Sequence, residues 1–175
     1  VIATKPHPRN SSEAAVENSC DESLRRLQTD YIDLYQPHWP NRELPPEKLV
    51  ALLEGLKEKG KIRTWGVCNY GKQDLQELLP HAVPATNQIA YNLIWRAVEF
   101  AVKPLCEQNG VGLLCYSPLA QGLLTGKYRN ADDLPAGRAR TKHFSAVREQ
   151  VAHGEPGAEK ETFMVIDALR RFADA

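Results

Sequence analysis

The sequence lacks an excess of charge of either sign, and it lacks any long apolar run. Its 175 residues include 22 lysines and arginines against 22 aspartates and glutamates, so the formal net charge is zero. This balance provides no whole-chain attraction to nucleic acid or to an anionic membrane surface. The apolar runs are far shorter than the roughly 18 residues of a membrane-spanning helix, and no secretory signal or lipidation motif is found. We therefore expect a cytoplasmic protein with neither nucleic acid nor a membrane as its partner.

The sequence also lacks the motifs that indicate a metal or a phosphate site, although it contains four cysteines, five histidines and eleven glycines. There is no C-x-x-C pair and no H-E-x-x-H, so we expect reduced cysteines and no bound metal. Gly110 and Gly112 precede a predicted strand, whereas the dinucleotide fingerprint follows one. Residues 122–127 have one residue too few between their glycines for a P-loop, and Tyr128 stands where that loop needs Ser or Thr. Neither pattern therefore predicts a phosphate-binding site.

Short apolar strands alternate with amphipathic helices along most of the chain. The predicted strands cover residues 1–4, 31–35, 64–68, 84–88 and 111–116. Apolar stripes at helical spacing mark the helices: Val16, Cys20, Leu24 and Leu27 in the first, Leu49, Leu52, Leu53 and Leu56 in the second, Leu75, Leu78 and Leu79 in the third, Val98, Val102, Leu105 and Cys106 in the fourth, and Val165, Ile166, Leu169 and Phe172 in the last. Asn10 is the predicted N-cap of the first helix. Residues 126–157 show no periodicity, which predicts a long loop with a short helix around 145–151.

A βα unit repeated five times predicts an α/β fold with a parallel sheet and right-handed crossovers. The open doubly wound sheet and the (β/α)8 TIM barrel both fit this pattern. A closed barrel needs eight strands and typically about 250 residues, so five units would form an incomplete barrel. The strand at 111–116 is almost wholly apolar, which is typical of a strand buried on both faces.

Polar side chains stand at the carboxyl ends of the five predicted strands, in the order Lys5, His38, Asn69, Gln88 and Tyr116. In a barrel these ends converge on one mouth, where active sites are built. Each residue alone has an ordinary explanation as a surface charge, a packed loop residue or a core residue. Five polar residues at the corresponding ends of five strands together favour a functional site.

At these residues the sequence closely resembles the aldo-keto reductases, which are NADPH-dependent (β/α)8-barrel enzymes. The resemblance is carried by VIATK (1–5), SLRRLQTDYIDLYQPHWP (23–40), GKIRTWGVCN (60–69), NQIAYN (87–92) and YSPLAQGLLTGKY (116–128). The last motif is similar to the bacterial and plant branches that also include the potassium-channel beta subunits. The resemblance implies that residues 1–175 are the central part of such a barrel, strands three to seven. We therefore expect a fragment of an oxidoreductase that reduces aldehydes or ketones to alcohols.

The resemblance also assigns roles to residues. Of the family's Asp, Tyr, Lys and His tetrad, it assigns the Lys to Lys5 and the His to His38, and it places the Asp and the proton-donating Tyr upstream of Val1. Asn69 and Gln88 would bind the nicotinamide carboxamide, and Tyr116 would stack beneath the ring. Cys68 stands where the family often has Ser. The implied pyrophosphate-binding residues are Ser117, Pro118, Leu119, Gln121, Gly122, Leu123 and Lys127.

Several expectations follow from the same resemblance. The basic loop beyond Lys127 would either fold over the cofactor or remain a solvated loop. The cofactor would be NADPH (NADP), although the family's adenosine-phosphate site lies beyond Ala175, and the partner would be a small carbonyl substrate. Without the Tyr, residues 1–175 alone would be inactive, and their open barrel edges would promote self-association. The alternatives are a non-catalytic nucleotide-binding or regulatory subunit of the same fold and an inactive truncated gene product.

Overall fold

The computed structural model describes residues 1–7, 12–135 and 137–175, which form two compact units. The first unit comprises Val1–Tyr91 and Ala97–Tyr116, and the second comprises Asn92–Arg96 and Ser117–Ala175. Neither unit, within those described ranges, contains a helix long and apolar enough to cross a membrane.

The described residues of the first unit form six strands in two three-stranded sheets. They are β1 (Ala3–Thr4), β2 (Ile32–Tyr35), β3 (Ile62–Trp65), β4 (Val67–Cys68), β5 (Thr86–Ala90) and β6 (Gly112–Tyr116). The sheet orders are β1-β2-β3 and β4-β5-β6, and every pair is parallel. The alternation of strand and helix therefore produces the parallel pairing that the sequence predicts.

Gly66 divides the predicted third strand into β3 and β4. The Gly66 N–H donates to the Tyr35 carbonyl at 3.1 Å, and the Ala85 N–H donates to the Trp65 carbonyl at 3.0 Å. A Cβ on Gly66 would lie 2.2 Å from Oγ1 and 2.8 Å from the carbonyl oxygen of Thr86. Only glycine allows the backbone to pass this close to the next strand.

The helices of the first unit follow their predicted apolar stripes except at Leu27, which is 44% exposed. They are α1 (Glu13–Leu27), α2 (Pro46–Glu58), α3 (Lys72–Leu78) and α4 (Val102–Gln108). Ser12 is the N-cap of α1, since its side chain accepts a hydrogen bond from Ala15 N, while the predicted cap Asn10 lies outside the described residues. The α2 stripe buries Leu49, Leu53 and Leu56 almost completely. The predicted fourth helix is divided into a 3₁₀ helix, Ala97–Phe100, and α4.

Two predictions about strands are wrong. β5 begins and ends two residues later than the sequence predicts, so Gln88 lies in the middle of the strand and not at its end. β6 was expected to be buried on both faces, but Leu114 is 37% exposed and Cys115 is exposed. Within the described residues β6 pairs only with β5, and an apolar strand is buried on both faces only where other elements cover it.

The second unit contains little regular structure besides one helix, α5 (Glu159–Ala173). Two 3₁₀ helices, Ala120–Thr125 and Ala131–Asp133, precede it, and turns occupy 145–150 where a short helix is predicted. Its core is built from these buried side chains: Leu123, Tyr128, Ala131, Ala139, Phe144, Phe163 and Ile166.

The predicted buried stripe of α5 is partly wrong. The buried residues are Thr162, Phe163 and Ile166, whereas Val165 is 45% and Phe172 is 84% exposed. The side facing the core is decided by Leu123 and Phe144 in the irregular segment before the helix, and these contacts leave no periodic trace in the sequence.

Candidate active site

Asn69 hydrogen-bonds to residues of three other chain segments in the first unit. It follows β4 directly, and its backbone adopts the left-handed region at φ +61, which asparagine tolerates better than most residues. Its N–H donates to the Gln88 carbonyl at 2.8 Å. Its side-chain Nδ2 donates to the His38 carbonyl at 3.1 Å, and its Oδ1 accepts from the Tyr116 hydroxyl at 2.8 Å. The structure therefore brings together four of the five residues that the sequence places at strand ends.

Lys5 and His38 line an open cleft of about 1070 Å³ beside β1 and α1. Burial lowers the pKa of His38, and the positive charges of Lys5 and His7 lower it further. At neutral pH the His38 imidazole is therefore neutral, with one ring nitrogen available as a donor and the other as an acceptor. The His38 ring stacks with Trp39, with the ring centroids 6.2 Å apart.

Tyr116 and Cys68 are both held in their protonated forms. Burial raises the pKa of the Tyr116 phenol, and Cys68 adds to this effect, while a hydrogen bond with the Ala90 backbone opposes it. Burial also raises the pKa of the Cys68 thiol, and the charge of Lys5 partly offsets this rise. The Cys68 sulfur accepts a hydrogen bond of 3.3 Å from Asn69 Nδ2. The thiol thus acts as a weak acceptor for the asparagine amide.

Gln88 contributes its backbone to this arrangement. In the parallel register it lies opposite Cys68 on β4 and Leu114 on β6, and its side chain is half-buried. Gln88 therefore lies next to Asn69 although it does not end its strand.

The remaining predicted site residues belong to the second unit. Ser117, Ala120 and Gln121 have positive φ angles between +47 and +57, a strained backbone conformation that clusters at functional sites. Gly122 has φ +98, which glycine adopts at no steric cost. Leu119 is exposed, whereas the side chain of Leu123 is buried in the core of the unit.

Two cations lie beside Gly122 in this second unit. The Lys127 Nζ and the Arg138 Nη1 lie 3.6 and 3.7 Å from the position that a Cβ of Gly122 would occupy. Arg138 also donates to the Gln121 carbonyl at 2.8 Å. Arg138 lies in the basic loop beyond Lys127, and no spacing rule of the sequence connects it with residue 122.

Sequence reasoning also missed two buried amides. Asn87 is fully buried and exchanges hydrogen bonds with the Tyr70 backbone, accepting at 3.4 Å and donating at 2.9 Å. Gln36 is fully buried and donates to the Val67 carbonyl and to Thr86 Oγ1. The motif NQIAYN contains Asn87, but nothing in the pattern separates its structural role from the role of Gln88.

The described residues hold no cluster of three or more His, Cys, Asp or Glu side chains that could bind a metal ion. The polar groups at the strand ends are amides, a phenol, an imidazole and an ammonium. Such groups bind a planar amide-bearing ring and polarise a carbonyl oxygen by hydrogen bonding and charge.

Comparisons with known proteins identify the family of the chain. The model of the Aldo/keto reductase family matches residues 1–173. The chain is 43% identical over 132 residues to methylglyoxal reductase YeaE of Escherichia coli, covering 74% of this chain and 45% of that protein. It is 38% identical over 137 residues to an NADH-specific methylglyoxal reductase of the same organism, covering 77% of this chain and 42% of that protein. The chain thus spans less than half the length of these curated relatives.

Solved structures show the same relationship. An aldo-keto reductase from Klebsiella pneumoniae in complex with NADPH is 32% identical, with a TM-score of 0.66 over 97% of this chain and 64% of that chain. The glycerol dehydrogenase AKR11B4 from Gluconobacter oxydans is 29% identical, with a TM-score of 0.78 over 94% of this chain and 48% of that chain. The predicted α/β fold with the parallel strands of a partial barrel is confirmed. The chain belongs to the aldo/keto reductase family.

Proposed function

We propose that the protein is an NADP-dependent reductase that converts aldehydes or ketones to alcohols. The observation that carries this proposal is the network in which Asn69 connects His38, Gln88 and Tyr116 across adjoining strands. Two relatives are named methylglyoxal reductases, which supports a small carbonyl compound as the substrate class.

The residues of the first unit fit the nicotinamide end of the cofactor. We assign the carboxamide to Asn69 and Gln88, whose side chains carry both donors and acceptors, and we assign the face of the ring to Tyr116. NADPH, when bound, supplies the hydride for carbonyl reduction.

Lys5 and His38 are the proposed catalytic residues of this chain. The neutral His38 imidazole donates a hydrogen bond to the carbonyl oxygen of the substrate, orients it and stabilises the charge that develops there. The Lys5 ammonium stabilises the same negative charge and favours the ionised form of a neighbouring phenol. The family resemblance assigns proton donation to a tyrosine that is not among these 175 residues. We therefore propose that residues 1–175 alone bind the cofactor but do not reduce the substrate.

The second unit supplies the proposed pyrophosphate-binding residues. These are Ser117, Pro118, Leu119, Gln121, Gly122, Leu123 and Lys127, and the geometry adds Arg138. Lys127 and Arg138 beside Gly122 provide positive charge for an anion. Because the Leu123 side chain is buried, we assign its contact to the main chain.

The preference for NADPH over NADH is also a proposal. The Klebsiella relative was solved with NADPH, whereas one of the E. coli relatives is named NADH-specific. Titration of the protein as its gene encodes it with each cofactor, followed by tryptophan fluorescence, decides between them, because the resemblance places the adenosine-phosphate site beyond Ala175. We expect the dissociation constant for NADPH to be lower.

We further propose a cytoplasmic location and self-association. All four cysteines are free, which suits a reducing compartment. The exposed side chains of Leu114 and Cys115 on β6 are suited to pairing with a second copy. Analytical ultracentrifugation should detect a dimer that Leu114→Lys weakens, and a monomer at all concentrations would contradict this part of the proposal.

The central experiment measures cofactor binding and turnover separately. Calorimetry with NADPH should show binding by the chain, and Lys127→Ala should weaken it about tenfold because a charge-assisted contact is lost. The matched control is Lys103→Ala, which removes an ion pair with Glu107 on the surface of α4. Consumption of NADPH with 4-nitrobenzaldehyde should occur with the protein as its gene encodes it and should be absent with residues 1–175. If NADPH does not bind, or if the gene product binds it without turnover, the proposed reductase function is wrong.

A further inference from the structure

The side chain of Asn69 is held at both ends by neighbours in the first unit. Its Oδ1 accepts the hydroxyl of Tyr116, 47 residues away in sequence, at 2.8 Å. Its Nδ2 donates to the His38 carbonyl, 31 residues away, at 3.1 Å. A carbonyl oxygen can only accept, so the His38 contact requires the amide nitrogen on that side. The two bonds together define the orientation of the amide.

The backbone beneath this side chain is strained. Asn69 has φ +61, and a residue other than glycine stays in the left-handed region only where its surroundings enforce that conformation. The hydroxyl of Tyr116 binds the side chain of this residue. It is half-buried, and burial keeps it protonated and therefore able to donate.

We propose that the Tyr116 hydroxyl is a positioning group that orients Asn69 for cofactor binding and, through Asn69, holds the main chain at His38. This inference rests on the proposed function, because it concerns how the same site is prepared for NADPH. It assigns the hydroxyl a task that is separate from the stacking of the Tyr116 ring. A phenylalanine would keep the stacking and lose the positioning.

Tyr116→Phe should weaken NADPH binding about threefold to tenfold, which is the range expected for one lost hydrogen bond. Asn69→Gly removes the side chain while tolerating the positive φ, and it should weaken binding at least as much. If the hydroxyl acts through Asn69, Tyr116→Phe should cause no further loss in the Asn69→Gly background. Tyr31→Phe is the matched control and should bind NADPH like the unmodified chain, because Tyr31 packs against Arg63 away from this network.

A measurement without cofactor separates this inference from the proposed function. The side-chain amide resonances of Asn69 and the backbone resonance of His38 in nitrogen–proton spectra should shift in Tyr116→Phe and stay unchanged in Tyr31→Phe. Failure of the unmodified chain to bind NADPH would overturn the proposed function alone. The spectra would still test whether the Tyr116 hydroxyl orients the Asn69 side chain. Unchanged Asn69 resonances, unchanged NADPH affinity in Tyr116→Phe, or losses that multiply in the double variant would each overturn the inference.

Discussion

The interactions that stabilise the first unit internally differ from those that stabilise the second unit. In the first unit the core consists of regular helices and strands whose apolar side chains are almost fully buried, as Leu53, Leu56 and Ile62 show. In the second unit much of the chain between Ser117 and α5 is irregular, and arginine side chains bind its backbone. Arg170 donates to the carbonyls of Gly126 and Tyr128 at 2.8 and 3.3 Å.

Arg148 shows the same principle with charged partners. It forms a bidentate pair with Glu159 at 2.6 and 2.7 Å and also binds Asp132 at 2.8 Å. Glu159 in turn accepts the N–H of Ser145 at 2.9 Å. Arg148 is therefore paired with carboxylates of its own unit, and its side chain is 24% exposed. Where periodic apolar burial is absent, charge-assisted hydrogen bonds order the chain instead.

The largest expected effect is a loss of stability in the first unit. Gly66→Ala should lower the free energy of unfolding by about 3 kcal/mol, because the new Cβ would overlap Thr86. Gly55→Ala in α2 is the matched control. No atom lies within 4 Å of its added Cβ, and alanine is the better helix former, so we expect a gain of about 0.5–1 kcal/mol. Denaturant unfolding measures both, and equal effects would contradict the close approach of the strands at Gly66.

A smaller effect is expected in the second unit. Arg148→Gln should destabilise the loop locally by about 1–2 kcal/mol, since the pair with Glu159 is only about one quarter exposed, at 24% and 26%. Lys142→Gln is the control, because its pair with Glu155 is largely exposed and is worth less than about 1 kcal/mol. Hydrogen exchange of residues 126–157 should accelerate in the first variant and remain unchanged in the second. Equal acceleration would show that general charge, and not the bidentate geometry, orders the loop.

The smallest expected effect compares the pH response of the two units. The Ile2 N–H hydrogen bond, followed by the charge of Arg63, holds the pKa of Asp33 below its usual range, and Arg148 does the same for Glu159. A carboxyl group with a lowered pKa in the folded state adds stability above its unfolded pKa of about 4 and loses it as the pH falls through the folded value. The midpoint temperature of thermal unfolding should therefore fall below about pH 5. Asp33→Asn and Glu159→Gln should each flatten this dependence, and an unchanged profile in both would contradict these assignments.

The strand ends illustrate how much of the site could be predicted. A barrel pattern places Lys5, His38, Asn69 and Tyr116 after successive strands, and their order along the chain suffices to expect them on one side of the sheet. The bond between Tyr116 and Asn69 could not be predicted, because it depends on the left-handed turn at Asn69. The shift of β5 around Gln88 was also unpredictable, since the register depends on the backbone contacts of Gly66 with the neighbouring strands.

The sequence by itself determined the alternation of strands and helices, the buried faces of α1 and α2, and the residue types at the strand ends. Periodic burial of apolar side chains is a local property that repeats along the chain, so it can be read without coordinates. Only the tertiary structure decided which face of α5 is buried, how far β6 is exposed, and which carbonyls the arginines of the second unit bind. Those outcomes depend on contacts between residues that are distant in sequence, and such contacts leave no periodic pattern.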